Sequence, residues 1–187
     1  MRLLPLPGDG LRLRLEHDEA VLLDRLVMQL IELLQSHSST ALDPDPLFAS
    51  LEVGGSNQTP DDPALARLFP DAFADASEAS AFRRLSEQGL VNRKLQDALE
   101  VSSALGLGVE SIAGETGVVE ADLTAKTLPA WVRTLTSLRL AIAARIGLER
   151  ESDHARLLAE DETRGTVMVY DWLAAILDSI LRVHEAS

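Results

Sequence analysis

The chain has 187 residues, and its 30 acidic residues against 17 lysines and arginines give a formal net charge of −13. That charge disfavours direct binding to nucleic acid or anionic membrane, because both require a surface rich in cations. The chain has no cysteine, which excludes disulfides, thiolate metal ligands and thiol redox sensing. Hydrophobic residues make up 46% and aromatic residues 4%. This composition predicts one mainly helical domain over residues 1–187 with an aliphatic core.

The first ten residues, MRLLPLPGDG, contain two prolines and no sustained apolar run, unlike a signal peptide. No stretch approaches the roughly 18 apolar residues of a membrane-spanning helix. We therefore expect a cytoplasmic protein that does not associate with a membrane.

Residues 3–15 predict two short strands joined by a turn at residues 7–10. The second run, LRLRL, alternates with a period of two, which is typical of a half-buried strand. The alternation places Arg12 and Arg14 on the solvent side. Residues 118–123 would add a third strand to this N-terminal hairpin.

Residues 18–35 change to a helical period, with apolar residues over about half the circumference, and predict a core helix. Residues 36–63 contain four prolines and a Gly-Gly pair, which indicate a long surface connection within the same domain. Leu47, Phe48 and Leu51 are expected to anchor this connection.

Asp75 and Glu78 have the spacing of a capping box before a helix over residues 77–85. Ser86 is expected to cap a second helix over residues 87–105. Thr124 is expected to cap a further helix, which ends near Gly147. Its apolar stripe contains Trp131, Leu135, Leu138, Ile142 and Ile146.

The last helix is predicted over residues 162–183. Beside its core stripe, a second stripe contains Val169, Trp172 and Ile176. Neighbouring helices cover this second stripe, or it is a surface for self-association or a partner, since tryptophan is enriched in such contacts. The complete pattern predicts a mainly α fold of five to six helices with a small N-terminal β-hairpin or three-stranded sheet.

The order and wording of these segments resemble an actinobacterial domain-of-unknown-function family, the oxidative-stress-regulator-like group. The resemblance runs from LRLRLEHDEAVLLDRL to VYDWLAAILDSIL, and its most specific wording is DPALARLFPDAF and FRRL. The resemblance implies a cytoplasmic helical protein without established enzyme activity, which acts in stress-responsive transcription through a partner sigma factor. The cysteines that sense oxidation in that proposal have no counterpart here.

Four cations lie within twelve positions of the stretch AFRRLSEQGLVNRKLQ, namely Arg83, Arg84, Arg93 and Lys94. On one straight helix Arg84 and Arg93 would face opposite ways, but a break near residues 86–89 would join all four cations. They form either a solvated face with an i,i+4 pair from Arg83 to Glu87, or a docking site for an acidic protein surface. A nucleic-acid site is the weakest alternative.

Other polar residues give no specific signal. Arg139 lies near an apolar stripe and, if inward, is expected to pair with a carboxylate, with a ligand site as the weaker alternative. The four histidines, His17, His37, His154 and His184, lack metal-ligand spacing and are expected at the surface. Asp43 and Asp45 lack the glycine of a calcium loop, and no motif identifies a nucleophile with a base. We therefore predict no catalytic, cofactor-binding or metal-binding residues.

These observations favour a non-enzymatic regulatory or scaffold protein that acts through a protein partner, such as a sigma factor or the transcription machinery, or as a homodimer. A small-molecule-binding protein or an unrecognised enzyme is the alternative. That alternative would require a deep cavity with convergent polar groups.

Overall fold

The computed structural model describes residues 1–6, 10–41, 59–107 and 117–185, and for residues 38–41 and 184–185 it describes the backbone only. Within these residues there are three strands and six helices. The elements are β1 (Arg2–Leu6), β2 (Gly10–Glu16), α1 (His17–Ala41), α2 (Pro63–Leu68), α3 (Ala76–Leu105), β3 (Val118–Leu123), α4 (Leu128–Ile146), α5 (Glu151–Ala159) and α6 (Asp161–Glu185). The mainly α prediction with a small N-terminal sheet is confirmed.

The three strands form an antiparallel sheet in the order β1-β2-β3. Leu13 of β2 pairs with Leu3 of β1 and with Ala121 of β3. The leucines at 11, 13 and 15 are each 1% exposed, because the period of two directs them all into the core. The predicted third strand is therefore confirmed. The turn at residues 7–10 lies outside the described residues, apart from Gly10.

The outer face of the sheet contains the two arginines that alternate with these leucines. Arg12 makes a paired hydrogen bond to Asp122 at 2.6 and 2.8 Å, and Arg14 forms a salt bridge to Glu120. The hydrogen bond from Arg12 lowers the pKa of Asp122. The predicted solvent-side position of both arginines is confirmed.

Helix α1 begins directly after β2 and continues past the predicted end at residue 35 to Ala41. The terminal amine of Met1 bonds to Glu19 at 3.1 Å, and Glu19 also accepts the backbone N–H of Glu16. These contacts fix the first turn of α1 to the sheet. The connection predicted from residue 36 thus starts later, and its expected anchor at Leu47, Phe48 and Leu51 lies outside the described residues.

Two short helices were not predicted. Asp62 begins α2 by accepting the backbone N–H groups of Ala64 and Leu65. Helix α5 buries only Leu157 among its nine residues, so it has no apolar stripe for periodicity to detect. Asp153 secures its start by accepting the N–H groups of residues 149 and 150, and the bond from residue 150 lowers the pKa of Asp153.

Helix α4 begins one turn later than Thr124, the expected cap. Thr127 occupies the cap position, and Thr124 accepts the N–H of Leu128 with its backbone carbonyl. Pro129 explains the shift, since proline favours the first turn, where no intrahelical donor is needed. The helix ends, as predicted, at Gly147, whose φ of 70° is left-handed.

One hydrophobic cluster joins the sheet to five of the helices described. Its largest fully buried members include Trp131 and Leu135 of α4, Leu23 and Leu34 of α1, and Ile180 of α6. No helix in the described ranges is long and apolar enough to cross a membrane.

Candidate functional site

Helix α3 is one unbroken helix of 30 residues, so the predicted break near residues 86–89 is wrong. Asp75 caps its start as predicted, since its carboxylate accepts the N–H groups of Ser77 and Glu78 at 2.9 Å. Ser86 does not cap a second helix. Its hydroxyl donates to the Phe82 carbonyl at 2.8 Å, a bond that a helix interior can accommodate.

Because α3 is continuous, the four cations do not form one patch. Arg83 and Lys94 lie on the inner face of α3, which packs against the rest of the chain, whereas Arg84 and Arg93 are exposed. Neither Arg84 nor Arg93 has an ion-pair partner among the residues described. A docking role for these cations stays a prediction, and it now concerns only the two exposed arginines.

The inner face contains a buried charge cluster, which we call the α3 inner cluster: Asp71, Arg83, Glu87 and His37. Arg83 is 5% exposed and Glu87 3% exposed, and their side chains meet at 2.6 Å. Arg83 also bonds to Asp71 and, at 3.3 Å, to the Phe69 carbonyl. Burial opposes the charge of Arg83, but bonds to Asp71 and Glu87 outweigh it and raise its pKa. The predicted pair from Arg83 to Glu87 exists, yet it is buried rather than solvated.

His37 completes the α3 inner cluster from α1, which corrects its predicted surface position. Its ring Nε2 lies 2.8 Å from Glu87, and the ring stacks on Phe69 with 5.4 Å between the centroids. Helix α1 extends beyond residue 35, and this extension buries the histidine. Of the others, His154 is half-buried and bonds to Asp171 at 2.9 Å.

Lys94 lies about two turns beyond Glu87 along the inner face. Its ammonium donates to Ser137 of α4 at 3.2 Å and lies 6.0 Å from the Phe69 ring centroid. Burial lowers the pKa of Lys94, although the nearby Asp97 partly opposes this effect. Asp97 in turn bonds Arg133 of α4 at 2.6 and 2.8 Å. The inner face thus fixes α3 to α1 and α4 by polar contacts.

Several large apolar side chains in and just before the first half of α3 are exposed, and we call them the α3 outer surface: Phe73, Phe82, Leu85 and Leu90. Their exposed fractions are 46%, 44%, 76% and 46%, respectively. The rings of Phe73 and Phe82 pack edge to face with centroids 5.6 Å apart. Phe82 and Leu90 line one shallow depression of about 210 Å³, with Arg83 and Glu87 of the inner cluster beneath.

The second stripe of α6 is divided between the core and the surface. Ile176 is fully buried within the chain, so it cannot contribute to a partner surface in this conformation. Val169 and Trp172 are partly buried and pack against the core. The most exposed large apolar residue of α6 is instead Met168, which the predicted stripe did not include.

Arg139 pairs with an aromatic residue rather than with the expected carboxylate. Its guanidinium carbon lies 4.5 Å from the ring centroid of Tyr170, and Nη2 donates to the tyrosine hydroxyl at 2.8 Å. A cation stacked on a ring is stabilised by the electron-rich face, so the arginine does not need an ion pair. Among the described residues, no group of three or more histidine and acidic residues could hold a metal ion.

A family model described as "Domain of unknown function (DUF2017)" matches residues 1–184. The chain belongs to the DUF2017 family. It is 27% identical over 178 residues to a Mycobacterium leprae (strain TN) protein named "Putative oxidative stress regulator AosR". That match covers 87% of this chain and 77% of the relative. No solved structure matches the chain.

The family resemblance predicted from the sequence is therefore confirmed. The two segments with the most specific DUF2017 wording meet in space. DPALARLFPDAF contributes Asp71 and Phe73, while FRRL contributes Phe82 and Arg83, and these residues join by the Arg83–Asp71 bond and the ring contact.

Proposed function

We propose that this protein is regulatory and acts by binding another protein through the α3 outer surface, without catalysing a reaction. The observation that carries the proposal is the exposure of Phe73, Phe82, Leu85 and Leu90: Phe73 contacts Phe82, Leu90 lines the same depression as Phe82, and Leu85 lies one turn from Phe82 on α3. Contiguous exposed apolar groups with a polar surround are typical of protein-binding sites. Aromatic side chains also supply much contact area at low entropic cost.

The α3 inner cluster would make this surface effective. Glu87 and Arg83 are anchored to α1 and to the segment before α3, so the helix is held in place before any partner arrives. A surface that is ordered in advance loses less conformational entropy on binding.

The exposed charges indicate the chemistry of the partner. On the continuous helix α3, Arg93 projects from the same side as Phe82, whereas Arg84 faces the opposite way, and neither has an ion-pair partner among the residues described. A complementary partner would offer apolar side chains for the outer surface and a carboxylate for Arg93. An amphipathic acidic helix of another protein has this combination.

The name of the Mycobacterium leprae relative supports a regulatory role in stress. A component of the transcription machinery, such as a sigma factor, is the partner class that this role favours. Since the sequence has no cysteine, this chain would not receive an oxidative signal through a thiol of its own.

The test is affinity capture from cells of the source organism with the full chain as bait, read by mass spectrometry. We expect one dominant partner that is lost with Leu85→Glu, which places a charge at the most exposed apolar position. Met168→Glu is the matched control, since Met168 is 60% exposed on α6 and lies outside the α3 outer surface.

A charge-reversed variant, Arg93→Glu, should also lose the partner, while Arg84→Glu on the far side of α3 and Arg25→Glu on α1 should retain it. Retention of the same partner by the Leu85 and Arg93 variants would overturn the proposed surface. Capture of only further copies of this chain would instead indicate a homodimer and contradict a separate partner protein.

A further inference from the structure

We infer that an open cavity between α2, α4, α5 and α6 binds a small organic molecule that has one carboxylate and an apolar body. The cavity has a volume of about 400 Å³. That volume lies in the range of small-molecule sites. No residue of α3 lines it, so this inference is independent of the proposed docking surface.

The centre of the site is Arg139 on α4. Stacking on Tyr170 and the 2.8 Å bond to its hydroxyl fix the guanidinium plane. Of the three guanidinium nitrogens, only Nη2 makes a hydrogen bond within the described residues, and Nε is buried. Nη1 makes no hydrogen bond to a described residue, which leaves it as the donor for an acceptor on a ligand. An arginine with a fixed plane and a free donor suits a carboxylate.

Two further arginines approach the same cavity from other elements. Arg67 comes from α2, and Arg150 stands at the start of α5. Both are exposed, and neither forms a salt bridge with another described residue. Three arginines around one cavity are notable in a chain with net charge −13, since they concentrate positive potential locally.

The acidic residues at the rim limit the charge of the ligand. Glu149 and Glu151 also line the cavity, so the three arginines face two carboxylates. Three arginines against two glutamates leave a net charge of +1, which one carboxylate neutralises and a dianion such as phosphate would exceed. A single carboxylate fits this balance better.

The remaining wall supplies apolar surface. Leu140 and Ala143 of α4 and Leu148 after it line the cavity beside the Tyr170 ring. An aromatic or aliphatic body next to the carboxylate would cover these groups, as apolar walls with a few polar groups do in small-molecule sites.

The test uses benzoate as the probe and heteronuclear NMR of the isotope-labelled full chain. We expect saturable shifts at residues 136–154 and around Arg67, with a Kd of about the millimolar range, as suits a small fragment. Benzamide, which lacks the charge, and inorganic phosphate should bind at least about tenfold more weakly.

Arg139→Gln should weaken benzoate binding about tenfold, and Arg67→Gln by a smaller factor. Arg25→Gln is the control and should bind benzoate as the unaltered chain does. Because Arg67 is exposed and forms no salt bridge with a described residue, its variant tests the site even if Arg139→Gln fails to fold. Shifts that do not saturate, shifts that map elsewhere, or equal binding of benzamide would each overturn the inference. Unchanged binding by Arg67→Gln and a folded Arg139→Gln would overturn it as well.

Discussion

Over residues 82–87, the two sides of α3 reverse the usual distribution of side chains. Its inner face buries Arg83 and Glu87, whereas the outer surface exposes Phe82 and Leu85 to solvent. Buried charges are costly and are found where they are paired, and exposed large apolar groups in contact with one another are uncommon in isolated proteins. The inner side therefore holds the helix in place, and the outer side remains available for binding.

Arg83 and Arg84 are adjacent in sequence, but Arg83 is buried and Arg84 is exposed, so their variants give the sharpest test of the difference between the two sides. Arg83→Ala would leave Glu87 and Asp71 without their shared cation, so we expect the free energy of unfolding to fall by about 3 kcal/mol or more. Arg84→Ala, one position along, should change it by at most about 0.5 kcal/mol, because that side chain is exposed and unpaired. Urea denaturation of both variants measures the difference. Equal losses would show that the two faces are not distinct.

Gly89 tests whether α3 is continuous. A methyl group added there would meet nothing within 4 Å, and its φ is not positive. In an unbroken helix Gly89→Ala should raise the free energy of unfolding by about 0.5–1 kcal/mol. Gly165→Ala in α6 has the same open surroundings and serves as the reference. A loss of stability at Gly89 alone would indicate a break in the helix at that point.

The apolar outer surface should contribute little to stability. Leu85→Glu is expected to change the free energy of unfolding by no more than about 0.5 kcal/mol, because the side chain is 76% exposed. This result would separate loss of a partner from loss of the fold. A change comparable with that of Arg83→Ala would place Leu85 in the core instead.

The smallest expected effect is the contribution of Lys94 to the free energy of unfolding, and this contribution depends on pH. Burial lowers the pKa of Lys94 from its ordinary value of 10.5, so below 10.5 the unfolded chain holds this proton more firmly than the folded chain does. The contribution of Lys94 to stability should therefore increase as pH rises through the lowered pKa towards 10.5. Comparing the chain with Lys94→Gln by urea denaturation from neutral pH to about pH 10 isolates this contribution. A constant difference between the two would exclude the lowered pKa.

Periodicity predicted the sheet and the long helices because Leu11, Leu13 and Leu15 alternate regularly and α1 has a broad apolar stripe. Periodicity did not predict α5, where only Leu157 is buried. The prediction of a helix start at Ser86 was also wrong, because the Ser86 hydroxyl donates to the Phe82 carbonyl inside one longer helix. Asp62, an N-cap residue directly before Pro63, is a local sequence signal for the start of α2.

The candidate site was only partly predictable. The i,i+4 spacing of Arg83 and Glu87 indicated their pair. The burial of the pair depends on His37 of α1 and on Asp71 before α3, and the local sequence of α3 does not indicate either contact. The outer surface was missed because apolar residues such as Phe82 and Leu85 are ordinarily expected to face the core. The stack of Arg139 on Tyr170 likewise needs the packing of α4 against α6, which no local pattern contains.

The most direct test of the account is amide hydrogen exchange along α3 in the free chain and in Arg83→Ala. If the α3 inner cluster holds the outer surface ready for a partner, exchange at residues 83–92 should be slow in the free chain. Exchange there should accelerate strongly in the variant. Fast exchange at residues 86–90 in the unaltered chain would contradict a helix held in place from its inner face.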